Sequence, residues 1–187
     1  GLGDVYKRQV VVGIAVALML ISPELVLIFG SPKYREAVYV IPPVAASVFF
    51  IFIYNILSMP QFYYEKTQYL MAASMAAAGA NVVLNFIFIR LFGYIAAGYT
   101  TLACYMLYSV GHYIVSKRIL VNEGIQENLM NPGFLVACSV FLIGASIICN
   151  LIFPYRILRY AILLASAGLV FWKKELLLKT MADIRKK

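Results

Sequence analysis

The chain has 187 residues, 63% of them apolar and 14% aromatic, with a mean hydropathy of +0.86. Soluble domains run about 45–50% apolar, so the composition excludes an ordinary water-soluble domain and points to an all-α, polytopic membrane protein. The formal charge of +8 sits in short loops and at the C-terminal end rather than on a soluble face, which argues against nucleic acid as a partner.

Residues 1–9, GLGDVYKRQ, are a polar opening that reads as a non-native leader, to be set aside from the fold. Six apolar stretches then approach the roughly 20 residues that a membrane helix needs. They are Val10–Phe29, Val38–Met59, Gln68–Ile89, Tyr94–Ser116, Gly133–Phe153 and Ile157–Trp172. Each run is continuous rather than alternating, as helices require and β-barrel strands do not. In the first stretch, Ser22-Pro23-Glu24 carries a helix-start signature. The span is therefore expected to end near Ile21, with Glu24–Phe29 a separate short helix. In the second, Pro42-Pro43 is expected to kink the helix on its outer half. A polar, aromatic loop, PQFYYEKTQY, leads to the third, and the turn at Phe92–Gly98 joins the third to the fourth with Gly93 as a C-cap.

These stretches divide the chain into four helices at 10–118, a polar connection at 119–131, a final helix pair at 132–172 and a cationic tail at 173–187. Trp172 is placed as an interfacial anchor, and the basic tail is expected to rest on anionic membrane lipids. If the chain starts inside, the outer segments hold Lys33, Arg35, Arg90, Arg156 and Arg159, and the inner segments hold the other eleven of the 16 Lys and Arg. The positive-inside rule then puts both ends in the cytoplasm. Cys104, Cys138 and Cys149 all fall inside spans. Cys138 and Cys149 lie about 16 Å apart along one helix, too far to bridge, and the three are expected to be packing residues.

Polar residues inside membrane helices are where function is sought. Thr101, Tyr105, Tyr108 and His112 fall at i, i+4, i+7 and i+11, on one face of the fourth helix. Two readings stand for this face: a cavity wall whose tyrosines offer flat surfaces to sugar rings, or interhelical hydrogen bonding with His112 near the inner interface. Asn81 and Asn85, one turn apart, must meet another helix or a hydrated cavity. The small-residue run from Ala72 to Ala80 favours helix packing for them. Asn55 carries the same ambiguity. No carboxylate pair, His/Asp dyad, phosphate-cradling glycine loop or metal spacing is present, so neither a catalytic site nor a metal or cofactor is expected.

The order of SPELVLIFGSPKYREAVYVIP, FYYEKTQY, an Asn-bearing helix closing at FGYIAAGYTT, and YMLYSVGHYI resembles the polysaccharide or O-antigen (Wzx-type) flippases of the multidrug/oligosaccharidyl-lipid/polysaccharide exporter superfamily. The resemblance covers roughly residues 21–118 and extends to the last two stretches only in hydropathy. It implies that these are spans 9–14 of a fourteen-span, two-lobed exporter, sharing a central cavity with an N-terminal lobe. It further implies a bacterial inner-membrane protein that carries undecaprenyl-diphosphate-linked oligosaccharide across the bilayer by alternating access, beside a polysaccharide polymerase and glycosyltransferases. Lys66 and Arg90 become candidates for the diphosphate, and the tyrosine–histidine face for the sugars. A cation-coupled drug exporter of the same superfamily should show a buried acid in its ion site, and a membrane-embedded cell-envelope enzyme should show clustered acids or histidines in its loops.

Overall fold

The computed structural model describes residues 2–125 and 130–172. Among these the regular elements are all helical: α1 (Leu2–Phe29), a 3-10 helix over Pro32–Tyr39, α2 (Ile41–Tyr63), α3 (Thr67–Phe92), α4 (Ala96–Asn122), α5 (Pro132–Ile152) and α6 (Arg156–Trp172). The cationic tail expected at 173–187 lies outside the described residues. Among the described residues, four helices are long and apolar enough to cross a membrane: α1 over Val10–Phe29, α2, α3 and α5. The six expected stretches correspond to the six α-helices, but α4 is more polar than those four, and α6 has only 17 residues.

The expected break in the first stretch does not occur, because α1 runs uninterrupted through Pro23. A proline inside a helix leaves the carbonyl four residues earlier without its amide donor. Here that carbonyl belongs to Met19, and the Ser22 hydroxyl donates to it at 2.8 Å. The serine read as a helix start instead repairs the ladder. The kink expected at Pro42-Pro43 is absent for a different reason. Both prolines sit in the first turn of α2, where helix amides lack intrahelical partners in any case.

The loop expected at residues 60–69 is also mostly helix. α2 continues to Tyr63 and α3 begins at Thr67, so the link is only Tyr64–Lys66, with Glu65 in the left-handed region at φ 55°. The link from α3 to α4 is equally short. Gly93 caps α3 at φ 77°, ψ −178° and donates its amide to the Ile89 carbonyl at 2.9 Å, a backbone region essentially restricted to glycine. Two three-residue links make α2, α3 and α4 consecutive antiparallel neighbours.

α2 is the hub. It packs against α1, α4 and α5, and Phe49, Ile53 and Leu57 on it are fully buried with Met19 of α1 and Leu142 of α5. Gly98 brings the start of α4 flush against the start of α2. A Cβ built there would stand 2.8 Å from Pro43 Cγ and 2.9 Å from the Val40 carbonyl oxygen. α3 is the opposite case: it touches α4 and, slightly, α2, and none of its 26 residues is buried. A wide apolar surface left open this way suits lipid or another protein rather than water.

Candidate functional site

Two serine hydroxyls and an imidazole on α4 face its strongest neighbour, α2. Ser109 donates to the Phe50 carbonyl at 3.0 Å, and Ser116 donates to the Leu57 carbonyl. Between them, His112 is completely buried. Its Nδ1 lies 2.8 Å from Nε2 of Gln61, whose amide also donates to Ser116 Oγ at 2.9 Å. The Gln61 amide thereby joins His112 to Ser116, with its Oε1 also 3.2 Å from the same imidazole nitrogen. His112 Nε2 is buried and has no hydrogen-bond partner among the described residues. Polar groups placed this way in an apolar bundle tie two helices into one register, because slipping either helix would orphan them.

Aromatic rings extend this seam. Tyr54 of α2 stacks on Tyr105 at a centroid distance of 6.4 Å and an interplanar angle of 11°. It also meets Tyr108 at 4.6 Å and His112 at 5.8 Å. Tyr108 stands edge-on to His112 at 4.4 Å, and its hydroxyl lies 2.6 Å from Ser74 Oγ on α3. The arrangement therefore spans α2, α3 and α4. Tyr54, Tyr105 and Tyr108 are half-buried. Beside Tyr108, an apolar cleft of about 250 Å³ opens between Ala73, Ala76, Ala77 and Ala80 of α3 and Gly111 of α4.

Of the four residues expected on one face, the structure gathers Tyr105, Tyr108 and His112 on Tyr54. Thr101 is half-buried one turn earlier, without a side-chain hydrogen bond among the described residues. Asn81 and Asn85 join a separate contact. Asn85 donates to Asn81 at 2.9 Å within α3 and accepts from Thr100 of α4 at 2.5 Å. Asn55 is exposed and returns its amide to the Ile51 carbonyl of its own helix at 2.7 Å. Lys66 and Arg90 are both exposed, at opposite ends of α3. At 1.5 Å of rise per residue they stand roughly 36 Å apart, so one diphosphate cannot touch both at once. Arg90 instead lies over the Phe86 ring at 3.9 Å.

Tyr54 and Gln61 complete the seam and were missed in the sequence. Each is separated from its α4 partners by 51 or more residues, so no local spacing rule links them. The available signal was a lone glutamine directly after Pro60, following a long apolar run. Among the described residues no three His, Cys, Asp or Glu side chains converge as metal ligands. The three cysteines are free, with Cys104 and Cys149 buried and Cys138 half-buried.

No family model matches the chain, nor does any curated protein or solved structure. Fold and seam together define a class: a helical membrane protein with a polar and aromatic contact built between neighbouring membrane-length helices.

Proposed function

We propose that the chain is part of a flippase that moves undecaprenyl-diphosphate-linked oligosaccharide across the bacterial inner membrane by alternating access, in polysaccharide or O-antigen synthesis. The observation that carries this reading is the tyrosine seam. Three tyrosines from two helices, stacked and half-buried beside an alanine-lined cleft, offer the flat apolar faces and rim hydroxyls that bind sugar rings. A helix anchor has no use for them at that depth, where leucine would serve.

The exposure of α3 supports the same reading. A companion lobe of the same exporter, facing α3 and α4, would cover the helix that buries nothing here and close a cavity over the seam. In this scheme Tyr105 and Tyr108 contact sugar. His112 and Gln61 hold the wall in register, and Lys66 and Arg90 act separately, each on substrate phosphate near its own membrane face. All six expected stretches then cross the membrane, with both ends of the chain in the cytoplasm.

The test is whether the full-length gene restores surface polysaccharide to a flippase-deficient strain. Tyr105→Ala and Tyr108→Ala should each lower export while leaving membrane insertion and abundance intact. Full export from both variants would sink the assignment of this seam to substrate.

A further inference from the structure

At the far corner of the bundle, between the C-terminal part of α1, the 3-10 helix and the turn from α5 into α6, lies a cavity of about 450 Å³. Its size is that of a small-molecule pocket. Arg35, Arg156 and Arg159 line it together with a single carboxylate, Glu24. Arg159 is only 2% exposed. It is ion-paired to Glu24, and the same Glu24 oxygen accepts from the Tyr160 hydroxyl at 2.7 Å. The pairing leaves two polar atoms over: Arg159 Nε and Glu24 Oε2 are buried without hydrogen-bond partners among the described residues.

Three guanidiniums against one carboxylate leave the pocket with two surplus positive charges. Burying a guanidinium in a bundle that faces lipid is costly unless its donors are used. Arginine's planar fork matches phosphate oxygens in pairs. α6 begins at Arg156, so its helix dipole adds positive potential at the same corner. The remaining wall is apolar, with Val26, Leu27, Val38 and Phe153. Leu27 and its neighbour Ile28 are about 70% exposed, continuing that wall out onto the lipid-facing side of α1.

We propose that this pocket binds a phosphate ester, with Arg35, Arg156 and Arg159 on the phosphate oxygens and, when the phosphate belongs to a lipid, the acyl chain running along the Leu27 side of α1. Arg159, held by Glu24 and Tyr160, is the fixed base of the site. Arg35 and Arg156 close on the ligand from the exposed rim. The site shares no residue with the tyrosine seam and does not rest on the transport reading.

The experiment uses the whole chain in nonionic detergent micelles, with dioctanoyl phosphatidate and dioctanoylglycerol as probes that differ only in the phosphate. Phosphatidate should bind and raise the melting temperature, and dioctanoylglycerol should bind at least tenfold more weakly. Arg35→Gln/Arg156→Gln should weaken phosphatidate binding tenfold or more, whereas Lys117→Gln/Arg118→Gln, an equal loss of charge elsewhere, should not. The single variants Arg35→Gln and Arg156→Gln, each checked by circular dichroism, keep the test open should the double variant misfold. A parallel arm compares inorganic phosphate with chloride at equal ionic strength. Arginine-dependent stabilisation by phosphate alone identifies a free-phosphate site, and its absence beside retained phosphatidate binding identifies a lipid head-group site. Equal binding of the two glycerolipids, or equal losses in the two double variants, would overturn the proposal.

Discussion

α2 and α3 are nearly equal in length and hydropathy, yet they occupy opposite situations. Twelve of the 23 residues of α2 are buried, against none of the 26 in α3. Hydropathy therefore marks a helix as suited to the membrane without saying what it touches. The difference lies in side-chain detail. α2 carries large residues, Phe49, Ile53 and Leu57, on the side facing its neighbours. α3 offers alanines to α4 and turns its valines and phenylalanines outward, with Val82, Val83 and Phe86 all more than half exposed. α2 is fixed by packing, and α3 by two tight links and a few hydrogen bonds.

The sharpest test of this contrast is truncation on either helix. Phe49→Ala should cost about 3 kcal/mol of stability, the low end for a buried phenylalanine, because the lost transfer is from lipid rather than from water. Val83→Ala on α3 should stay within about 0.5 kcal/mol. Denaturant titration in detergent micelles measures both, and similar values would break the contrast.

Gly98→Ala comes next, at about 2 kcal/mol of overpacking, since the new methyl group meets Pro43 and the Val40 carbonyl. A melting temperature equal to the parent's would show that α4 can move away from α2 freely. A double-mutant cycle with Gln61→Leu and His112→Leu should return a coupling of about 0.6 kcal/mol, the typical worth of an interhelical hydrogen bond in a membrane protein. Zero coupling would remove the seam's role in holding register.

The smallest effect is expected at the turn between α3 and α4. There, desolvation and then the hydrogen bond to Glu36 and its negative charge raise the Tyr94 phenol above its usual value. A raised folded value means that the contribution is fully present below about pH 10, the unfolded phenol's pKa, and is lost as pH rises through the folded one. Melting curves taken from pH 9 to 11 should fall less steeply in Tyr94→Phe than in the parent chain.

Much of the architecture was legible because the membrane imposes one simple rule, continuous apolar length, and the six stretches found by it overlap the six α-helices. Local punctuation was less reliable. Ser22-Pro23 has the residues of a helix start, but a serine hydroxyl can equally stand in for a missing amide, and only the geometry at Met19 decides between these roles. Pro42-Pro43 was legible as a special position, yet its meaning changed once the helix was seen to begin at Ile41. On α4 the 3.6-residue period brought Tyr105, Tyr108 and His112 together correctly. Which helix they meet depends on pairing across more than 50 residues, which periodicity does not carry. The arginine corner is a stronger case of the same limit: Glu24 and Arg159 are 135 residues apart.

The two three-residue links have a practical consequence for biosynthesis and for mapping. A chain that reverses direction at Tyr64–Lys66 and again at Gly93–Ile95 leaves the insertion machinery no slack to reorient one of these helices alone. Once α2 and α3, both long and apolar enough to cross a membrane, are inserted, their orientations are inherited from one another. Reporters placed at Glu65 and at Gly93, the two ends of α3, are expected to answer from opposite compartments, and labelling either one from a known side of the bilayer orients α2 and α3 together.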